Sequence, residues 1–276
     1  MIRTILIGED GSTAAHKALE HGVDLAARLG ATVRVVHVVE SAMAWAVPGP
    51  TPEPSQTAAA WMSESRKHHE QEGRVILDAA RRLCAERGVE VFADLVDGWP
   101  PRTLREEMQR ADLAVLGRTG RRQDRLGETT GATAQYMMRR CDKPVVLVDR
   151  AAEPLRDLVL GFDNSPSARR ALLVAAELSR RTGLPLTVAH VAERSDERHH
   201  VIQAARKALA GDPDVRATFE ELQGKPYPML AELLARKPGA TLILGGRGHD
   251  RLADFLLGTL PESFHLHHRA TLLVVR

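Results

Sequence analysis

The feature that most constrains the fold of this chain is an internal repeat. The segment TILIGEDGSTAAHKALEHGVDLAARLGATVRVVHVVE, which begins at Thr4, aligns with LVLGFDNSPSARRALLVAAELSRRTGLPLTVAHVAE, which begins near Leu158. The aligned landmarks are Asp10 and Asp163, His37 and His190, Gly98 and Gly224, Gly117 and Gly245, and Gly131 and Gly258. The chain is therefore a tandem duplication, and its 276 residues are predicted to form two domains of the same fold.

The two copies differ in length at one place. The difference in residue number between matching positions of the two copies is smaller from Gly98 onward than it is up to His37. The first half therefore carries an insertion between His37 and Gly98. Its proline-rich stretch, residues 43–56, is predicted to be a loop, and a helical pattern then runs from about Thr57 to Glu86. We therefore predict domain 1 at residues 1–150, with an insertion at about 43–70, and domain 2 at residues 151–276.

Each half alternates apolar strands with amphipathic helices. In the first half the pattern predicts strands at Thr4–Ile7, Thr32–Val39, near Val89–Leu95, at Leu113–Leu116 and at Pro144–Val148. It predicts helices at Ser12–Leu29 and at about Pro101–Arg110 and Thr130–Arg139, besides the long one. Repeated crossovers between continuous apolar strands indicate a parallel sheet covered on both faces. The predicted fold class is α/β, with two tandem five-stranded, parallel-sheet, Rossmann-like domains. One reversal of strand order leaves a crevice at the carboxyl ends of the first and fourth strands, where ligands bind.

Composition excludes several classes of protein. A formal net charge of +2 gives no general attraction to nucleic acid, and 4% aromatic residues supply few side chains for base stacking. The start lacks the features of a signal peptide and no stretch approaches 18 uninterrupted apolar residues, so we expect no membrane span and a cytoplasmic location. Cys84 and Cys141 stand far apart without a C-x-x-C partner, which argues against a disulfide framework or a zinc site.

A glycine motif follows the predicted fourth strand of the second half. Gly245 and Gly248 come after the apolar run at 241–244, and after nine further residues Gly258 and Thr259 begin the last predicted helix. Glycine admits positive φ and the close approach of a ligand, so main-chain N–H groups can converge on an anion. The unpaired N–H groups and the dipole of a helix N-terminus favour a phosphate, and the threonine hydroxyl adds a donor. The spacing therefore predicts a phosphate-binding site.

The ordered set of motifs resembles the universal stress protein family. Its parts are the G-x-x-G-x9-G-[ST] element, a D-x-S after the first strand (Asp10 to Ser12, Asp163 to Ser165), an H-V at the end of the second strand and a closing apolar strand, repeated over nearly the whole chain. The resemblance implies an adenine nucleotide alpha hydrolase-like fold in each half. It also implies pairing of the two last strands, here Pro144–Val148 with Thr271–Val275. In one branch of the family it implies bound ATP, with Mg as an accompanying ion, whereas other members bind no nucleotide.

The resemblance also assigns binding positions. In the second half Asp163 would contact the nucleoside end or a metal near the phosphates, Val191 would meet the adenine through its backbone, and the phosphates would be held by Gly245, Gly248, Gly258 and Thr259. The matching positions of the first half are Asp10, Val38, Gly117, Gly120, Gly131 and Ala132. There ten residues rather than nine separate Gly120 from Gly131. Ala132 stands in place of the hydroxyl residue, which removes a donor worth about 1 kcal/mol as a net hydrogen bond.

Simpler interpretations of the same residues stay open. Glycines after strands often form turns, and Ser12 and Ser165 are good N-caps for the first helix of each half. Loop arginines could neutralise phosphates or lie in solvent; they are Arg118, Arg121, Arg122 and Arg125 in the first half and Arg247 and Arg251 in the second. His265, His267 and His268 raise the question of metal binding. No carboxylate or cysteine with ligand spacing accompanies them, so no metal site is predicted.

Motifs of dedicated enzymes are missing from the sequence. It contains no G-x-x-x-x-G-K-[ST], no G-x-G-x-x-G after the first strand of either half and no G-x-S-x-G, so no catalytic residue is predicted. Three hypotheses follow: a nucleotide-binding regulatory protein of the stress response, a slow ATPase, and a scaffold that binds no nucleotide. The expected partners are an adenine nucleotide and an unidentified protein. The two halves would form an intrachain pseudo-dimer, which could pair again as a homodimer.

Overall fold

The chain folds into two successive halves that repeat one order of strands and helices. The computed structural model describes residues 1–40, 56–121, 131–192, 198–246 and 259–276, with the main chain alone at 56–60, 198, 199 and 259. The first half contains strands β1 (Thr4–Gly8), β2 (Thr32–Val39), β3 (Val91–Asp97), β4 (Leu113–Gly117) and β5 (Val145–Val148), and helices α1 (Thr13–Leu29), α2 (Gln56–Glu86), α3 (Pro100–Glu107) and α4 (Ala132–Arg140). The second half contains strands β6 (Asp157–Gly161), β7 (Leu186–Ala192), β8 (Ala217–Gln223), β9 (Ala240–Gly245) and β10 (Thr271–Val275), and helices α5 (Pro166–Thr182), α6 (Arg198–Leu209), α7 (Pro226–Ala235) and α8 (Thr259–His267).

One ten-stranded sheet runs through both halves, in the order β3-β2-β1-β4-β5-β10-β9-β6-β7-β8. Neighbouring strands within each half are parallel. β5 and β10 are antiparallel, with Leu272 opposite Leu147 and Val274 opposite Val145. The predicted α/β class with two five-stranded parallel halves is confirmed, and so is the pairing of the two last strands. Because that one pair is antiparallel, the carboxyl ends of the strands in the two halves lie at opposite edges of the sheet.

Helices cover both faces of the sheet. One buried apolar cluster contains residues of α1, α2, α5 and α6, among them Leu77 and Ile202. The other contains residues of α3, α4, α7 and α8, among them Met137 and Phe264. Each half therefore changes face after its third strand. The crevice between the diverging connections lies at β1 and β4 in the first half and at β6 and β9 in the second, as the sequence predicts.

Local sequence determines the ends of α1 and α5. The hydroxyls of Ser12 and Ser165 are N-caps, and they accept hydrogen bonds at 3.1 and 3.2 Å from main-chain N–H groups three residues further on. Both helices end at a glycine in the left-handed region, Gly30 with φ +57° and Gly183 with φ +71°. The predicted N-caps at Ser12 and Ser165 are therefore confirmed.

The structure corrects the start of β3. The strand begins at Val91 rather than at the predicted Val89. Gly88 has a φ of +65°, and the Val89 N–H donates to the carbonyl of Cys84 at 2.9 Å, which is the hydrogen-bond pattern of a helix end. Val89 therefore belongs to the exit from α2 and not to the sheet.

The described part of the insertion is helical. Residues 56–70 continue into α2, which has 31 residues, whereas its counterpart α6 has 12. Residues 41–55, with most of the predicted proline loop, lie outside the described residues. No helix in the ranges that the structure describes has the length and apolar character needed to cross a membrane.

Candidate functional site

An aspartate turn lies at the crevice of each half. The Asp10 carboxylate accepts a hydrogen bond from the Ser12 N–H at 2.9 Å through Oδ1 and from the Arg121 N–H at 3.2 Å through Oδ2. Asp163 repeats the first contact, accepting from the Ser165 N–H at 3.0 Å. These bonds orient both carboxylates at the carboxyl ends of β1 and β6, where the sequence predicts a ligand.

Gly117 and Gly245 are required by packing of the main chain. A Cβ atom on Gly117 would lie 2.7 Å from the main-chain nitrogen of Ala15, at the start of α1. A Cβ on Gly245 would lie 2.7 Å from the nitrogen of Ala168, at the start of α5. Backbone atoms cannot move aside as a flexible side chain can. The approach of strand to helix therefore accounts for these two glycines without any ligand.

The glycine loop of the first half folds onto the starts of two helices. Gly131 donates its N–H to the carbonyl of Arg118 at 2.8 Å, and the Ser12 hydroxyl donates to the carbonyl of Thr119 at 3.4 Å. Gly120 lies between Thr119 and Arg121, and residues 122–130 lie outside the described residues. The structure thus brings the predicted positions Asp10, Gly117, Gly120, Gly131 and Ala132 to one place at the end of β4.

Only part of the second glycine motif lies within the described residues. Gly246, which follows Gly245, donates its N–H to the carbonyl of Val275 at 2.6 Å, as Arg118 donates to Val148 at 2.8 Å in the first half. Thr259 is the first residue of α8. Gly248, Gly258, Arg247 and Arg251 lie outside the described residues, and so does the side chain of Thr259.

Val38 and Val191 present main-chain groups at the ends of β2 and β7. In a parallel ladder, alternate residues direct their N–H and C=O groups to the same neighbouring strand. The Glu9 N–H donates to the carbonyl of Val36 at 3.0 Å, so the next groups directed to that side belong to Val38, beyond the end of β1. In the second half the Phe162 N–H donates to the carbonyl of Ala189 at 2.8 Å, so the next groups directed to that side belong to Val191, beyond the end of β6.

A buried carboxyl that was not among the residues expected from the sequence precedes Asp10. Glu9 is 4% exposed; its Oε1 accepts a hydrogen bond from the Gly11 N–H at 2.9 Å, and its Oε2 has no hydrogen-bond partner among the described residues. Burial raises the pKa of Glu9 to about 7; the Gly11 hydrogen bond opposes the increase, and the charge of Asp10 adds to it. The aligned residue of the second half is Phe162. A carboxyl at a repeat position that is otherwise apolar is the sequence signal that points to Glu9.

Helix α2 lies against the crevice of the first half. Its Gly73 packs closely on His37, because a Cβ at Gly73 would lie 2.7 Å from the imidazole Cδ2. Glu72, one residue earlier, accepts hydrogen bonds from both terminal nitrogens of Arg121 at 3.2 Å each, and the hydrogen bond from Arg121 lowers the pKa of Glu72. Helix α2 therefore supplies an acidic partner to the glycine loop.

The structure corrects both interpretations of Arg118. The side chain is 2% exposed, so it does not lie in solvent, and its guanidinium donates to main-chain carbonyls of the second half, including that of Phe264 at 2.8 Å. Burial lowers the pKa of Arg118 to about 10 and the charge of Asp149 opposes this, so the side chain is protonated at neutral pH. The charged guanidinium therefore binds main-chain carbonyls at the junction of the two halves.

The three histidines near the end of α8 differ in their exposure to solvent. His265 is fully buried whereas His267 is exposed. Burial, with a smaller contribution from the positive charges of Arg118 and Arg139, lowers the pKa of His265 to about 4. Over the ranges given above, no group of three or more His, Cys, Asp or Glu side chains is arranged to hold a metal ion.

Known proteins resemble this chain along nearly its whole length. The profile of the universal stress protein family matches residues 1–149. The universal stress protein Rv2005c of Mycobacterium tuberculosis is 27% identical over 99% of this chain and 96% of its own length, and Slr1230 of Synechocystis is 20% identical over 94% of each. The crystal structure of a universal stress protein from Archaeoglobus fulgidus has a TM-score of 0.74 at 16% identity, covering 99% of this chain and 98% of that one, which shows the fold. The family match covers more than half of the chain, and the chain therefore belongs to the universal stress protein family.

Proposed function

We propose that this universal stress protein binds an adenine nucleotide in the crevices of its two halves and acts in the cytoplasm as a regulatory protein of the stress response rather than as a dedicated enzyme. The observation that carries the proposal is a convergence at the ends of β1 and β4. The Asp10 turn, the loop after Gly117 and the start of α4 are joined there by hydrogen bonds, from the Arg121 N–H to Asp10 and from the Gly131 N–H to Arg118.

The start of α4 suits a phosphate. Gly131 is the N-cap and offers no side-chain hydrogen bond to the first turn, whereas Ser12 caps α1 through its hydroxyl. The first N–H groups of α4 and the positive end of its dipole are therefore suited to an anion. Ala132, the first residue of the helix, is exposed, so a ligand can reach this end.

The opposite side of the crevice suits a nucleoside. The main-chain groups of Val38 and Val191 that lie beyond β1 and β6 can exchange hydrogen bonds with the edge of a base. The Asp10 carboxylate accepts two main-chain hydrogen bonds, and its remaining lone pairs can accept one from a ribose hydroxyl. A magnesium ion on the phosphates would find its carboxylate ligand in Asp10 or Asp163.

A scaffold that binds no nucleotide is the second candidate function. Packing on α1 and α5 explains Gly117 and Gly245, and the chain's own Arg121 N–H occupies one oxygen of Asp10. Both observations account for parts of the motif without a ligand.

The deciding experiment is ligand analysis followed by calorimetry. The full chain, purified without added nucleotide, is analysed by mass spectrometry for released ligand and then titrated with ATP, ADP and AMP. Ala132→Glu and Thr259→Glu place a negative charge on the first residue of α4 or α8, which suits the helix dipole and repels a phosphate. We expect each to weaken binding in its own half about tenfold or more, equivalent to about 1.4 kcal/mol.

Ala132→Gln and Thr259→Gln are the matched neutral controls, and each should bind within about threefold of the wild type. A wild-type chain that releases no nucleotide and gives no binding heat with any of the three ligands would favour the scaffold.

A further inference from the structure

An arginine of the first half caps a helix of the second. Arg118 donates from Nη1 to the carbonyls of Phe264 at 2.8 Å and His265 at 3.0 Å, and Nη1 also contacts the carbonyl of His268. Its Nη2 donates to the carbonyl of Ala270 at 2.6 Å. These oxygens lie in the last turn of α8 and just beyond it, where the helix dipole favours a cation. The Phe264 carbonyl also accepts a hydrogen bond from the His268 N–H at 3.1 Å. The buried guanidinium therefore holds the end of α8.

Arg276 makes the corresponding contact in the opposite direction. It follows β10, and its Nη1 donates to the carbonyl of Arg139 in the last turn of α4. Its side chain passes over Gly246, where a Cβ would lie 2.8 Å from the Arg276 Cγ. Gly246 occupies the repeat position of Arg118, so the two halves cap each other's last helix from different positions. An ion pair between Arg139 and Glu262 also joins α4 to α8 directly.

Each capped helix begins at the crevice of its own half. α4 begins at Ala132 and α8 at Thr259, and a helix of nine residues, about 13 Å long, joins each crevice to an arginine of the other half. The main chain of Arg118 lies in the first glycine loop, where its carbonyl accepts from the Gly131 N–H at 2.8 Å and its N–H donates to Val148 at 2.8 Å. A displacement of that loop therefore moves the group that holds α8.

We infer that Arg118 couples the two crevices, so that a ligand in the first half raises the affinity of the second half by fixing the position of α8. This inference rests on the proposed function of the crevices. Arg118 is a positioning residue here, since it acts on the second crevice through a helix. Coupling between binding sites is reciprocal, so a ligand in the second crevice raises the affinity of the first by the same factor. We expect a factor of about five or more.

The binding test measures both crevices of the full chain by calorimetry with ATP. The wild type should bind two nucleotides with positive cooperativity. The second-half affinity is measured in Ala132→Glu at ATP concentrations that leave the weakened first crevice largely empty. It should be about fivefold lower than the second-half affinity of the loaded wild type. Arg118→Met keeps the apolar length of the side chain and removes the donors, and it should abolish the cooperativity. Arg102→Met makes the same change at a side chain that is 75% exposed and should leave it intact.

A second readout needs no ligand. Gly131→Ala places a Cβ 3.1 Å from the carbonyl of Arg118 and so perturbs the loop locally. Hydrogen exchange of the α8 amides should become faster in this variant, and the increase should be absent when Arg118→Met is added. If Arg118→Met fails to fold, Arg276→Met tests the reverse link, and exchange in α4 should then become faster.

The two readouts separate the inference from the proposed function. Independent sites in the wild type, or cooperativity that survives in Arg118→Met, would overturn the coupling while leaving nucleotide binding in place. Absence of nucleotide binding in all variants would remove the proposed function. In that case exchange in α8 still decides the mechanical link, because α8 amides unaffected by Gly131→Ala would overturn it.

Discussion

Glu9 and Phe162 occupy the same place in the two halves of the fold. The carbonyl of Glu9 accepts a hydrogen bond from Nδ1 of His37 at 2.7 Å, and the carbonyl of Phe162 accepts one from Nδ1 of His190 at 2.9 Å. Both residues are buried, at 4% and 3% exposure. The first half therefore has a buried carboxyl where the second half has a buried phenyl ring. The two crevices differ in the polarity of this buried side chain.

Glu9→Gln is expected to stabilise the protein near neutral pH. Because burial raises the pKa of Glu9 from 4.5 to about 7, the folded state retains a proton that the unfolded chain releases. The contribution of this proton is fully present below about pH 4.5 and is lost as the pH rises to about 7. The shift corresponds to about 3 kcal/mol of unfolding free energy. Urea unfolding at about pH 5 and pH 8 measures it.

The control for Glu9 is Glu86→Gln, a change at an exposed position of α2. Its pH dependence should follow that of the wild type, whereas Glu9→Gln should lose less stability between the two pH values. Parallel curves for Glu9→Gln and the wild type would contradict a raised pKa.

Gly117→Ala and Gly245→Ala should each destabilise the fold by about 1–3 kcal/mol. The new methyl group would lie 2.7 Å from a main-chain nitrogen of α1 or α5, so a helix must shift to admit it. Gly211→Ala is the control, because no atom lies within 4 Å of a Cβ there. Thermal or urea unfolding compares the three variants. Losses no larger than the control's would mean that packing does not explain these glycines.

Glu72→Gln should tighten nucleotide binding in the first half by a few-fold. The change removes the negative charge opposite the Arg121 guanidinium and one of its two acceptors at 3.2 Å, and a cation beside the crevice without a carboxylate partner attracts phosphate. The ion pair is partly exposed, so stability should change by less than about 1 kcal/mol. Calorimetry in the Thr259→Glu background, where the second crevice binds about tenfold or more weakly, reports mainly on the first crevice. Glu70→Gln, on the same helix but paired with Arg66, should bind as the parent does, and equal affinities for both variants would count against the idea.

Both cysteines should resist thiol reagents in the folded state. Cys84 and Cys141 are 0% and 3% exposed, and burial raises the pKa of both thiols, that of Cys84 to about 11. The reactive thiolate is therefore scarce at about pH 8. A chromogenic disulfide reagent should report two thiols only after denaturant is added. Rapid reaction of either thiol without denaturant would show that it is accessible.

The sequence was sufficient for the architecture because the signals of the fold are local and occur twice. Each signal depends on only a few neighbouring residues. These signals are the apolar strands, the N-caps at Ser12 and Ser165, and the glycines Gly30 and Gly183 that end the helices. Their repetition at aligned positions made the strand order and the place of the crevice predictable. The start of β3 was misplaced because Val89, a β-branched residue, forms the end of a helix instead.

The side-chain links of the candidate site were less predictable, since their partners lie far along the chain. Arg118 contacts carbonyls between 146 and 152 residues away, and nothing beside it distinguishes it from the other arginines of its loop. The sequence pattern at Gly117 predicts room for a ligand, whereas the main chain of α1 fills that space. The ligand contacts of Val191 and Thr259 stay predictions.

The antiparallel contact between β5 and β10 joins two unlike sequences within one polypeptide. In a symmetric dimer of identical subunits every substitution would occur on both sides of the twofold axis. Here Arg118 is matched in the repeat by Gly246, and Glu9 by Phe162. Covalent fusion therefore allows natural selection to specialise one crevice while its twin keeps the ancestral chemistry.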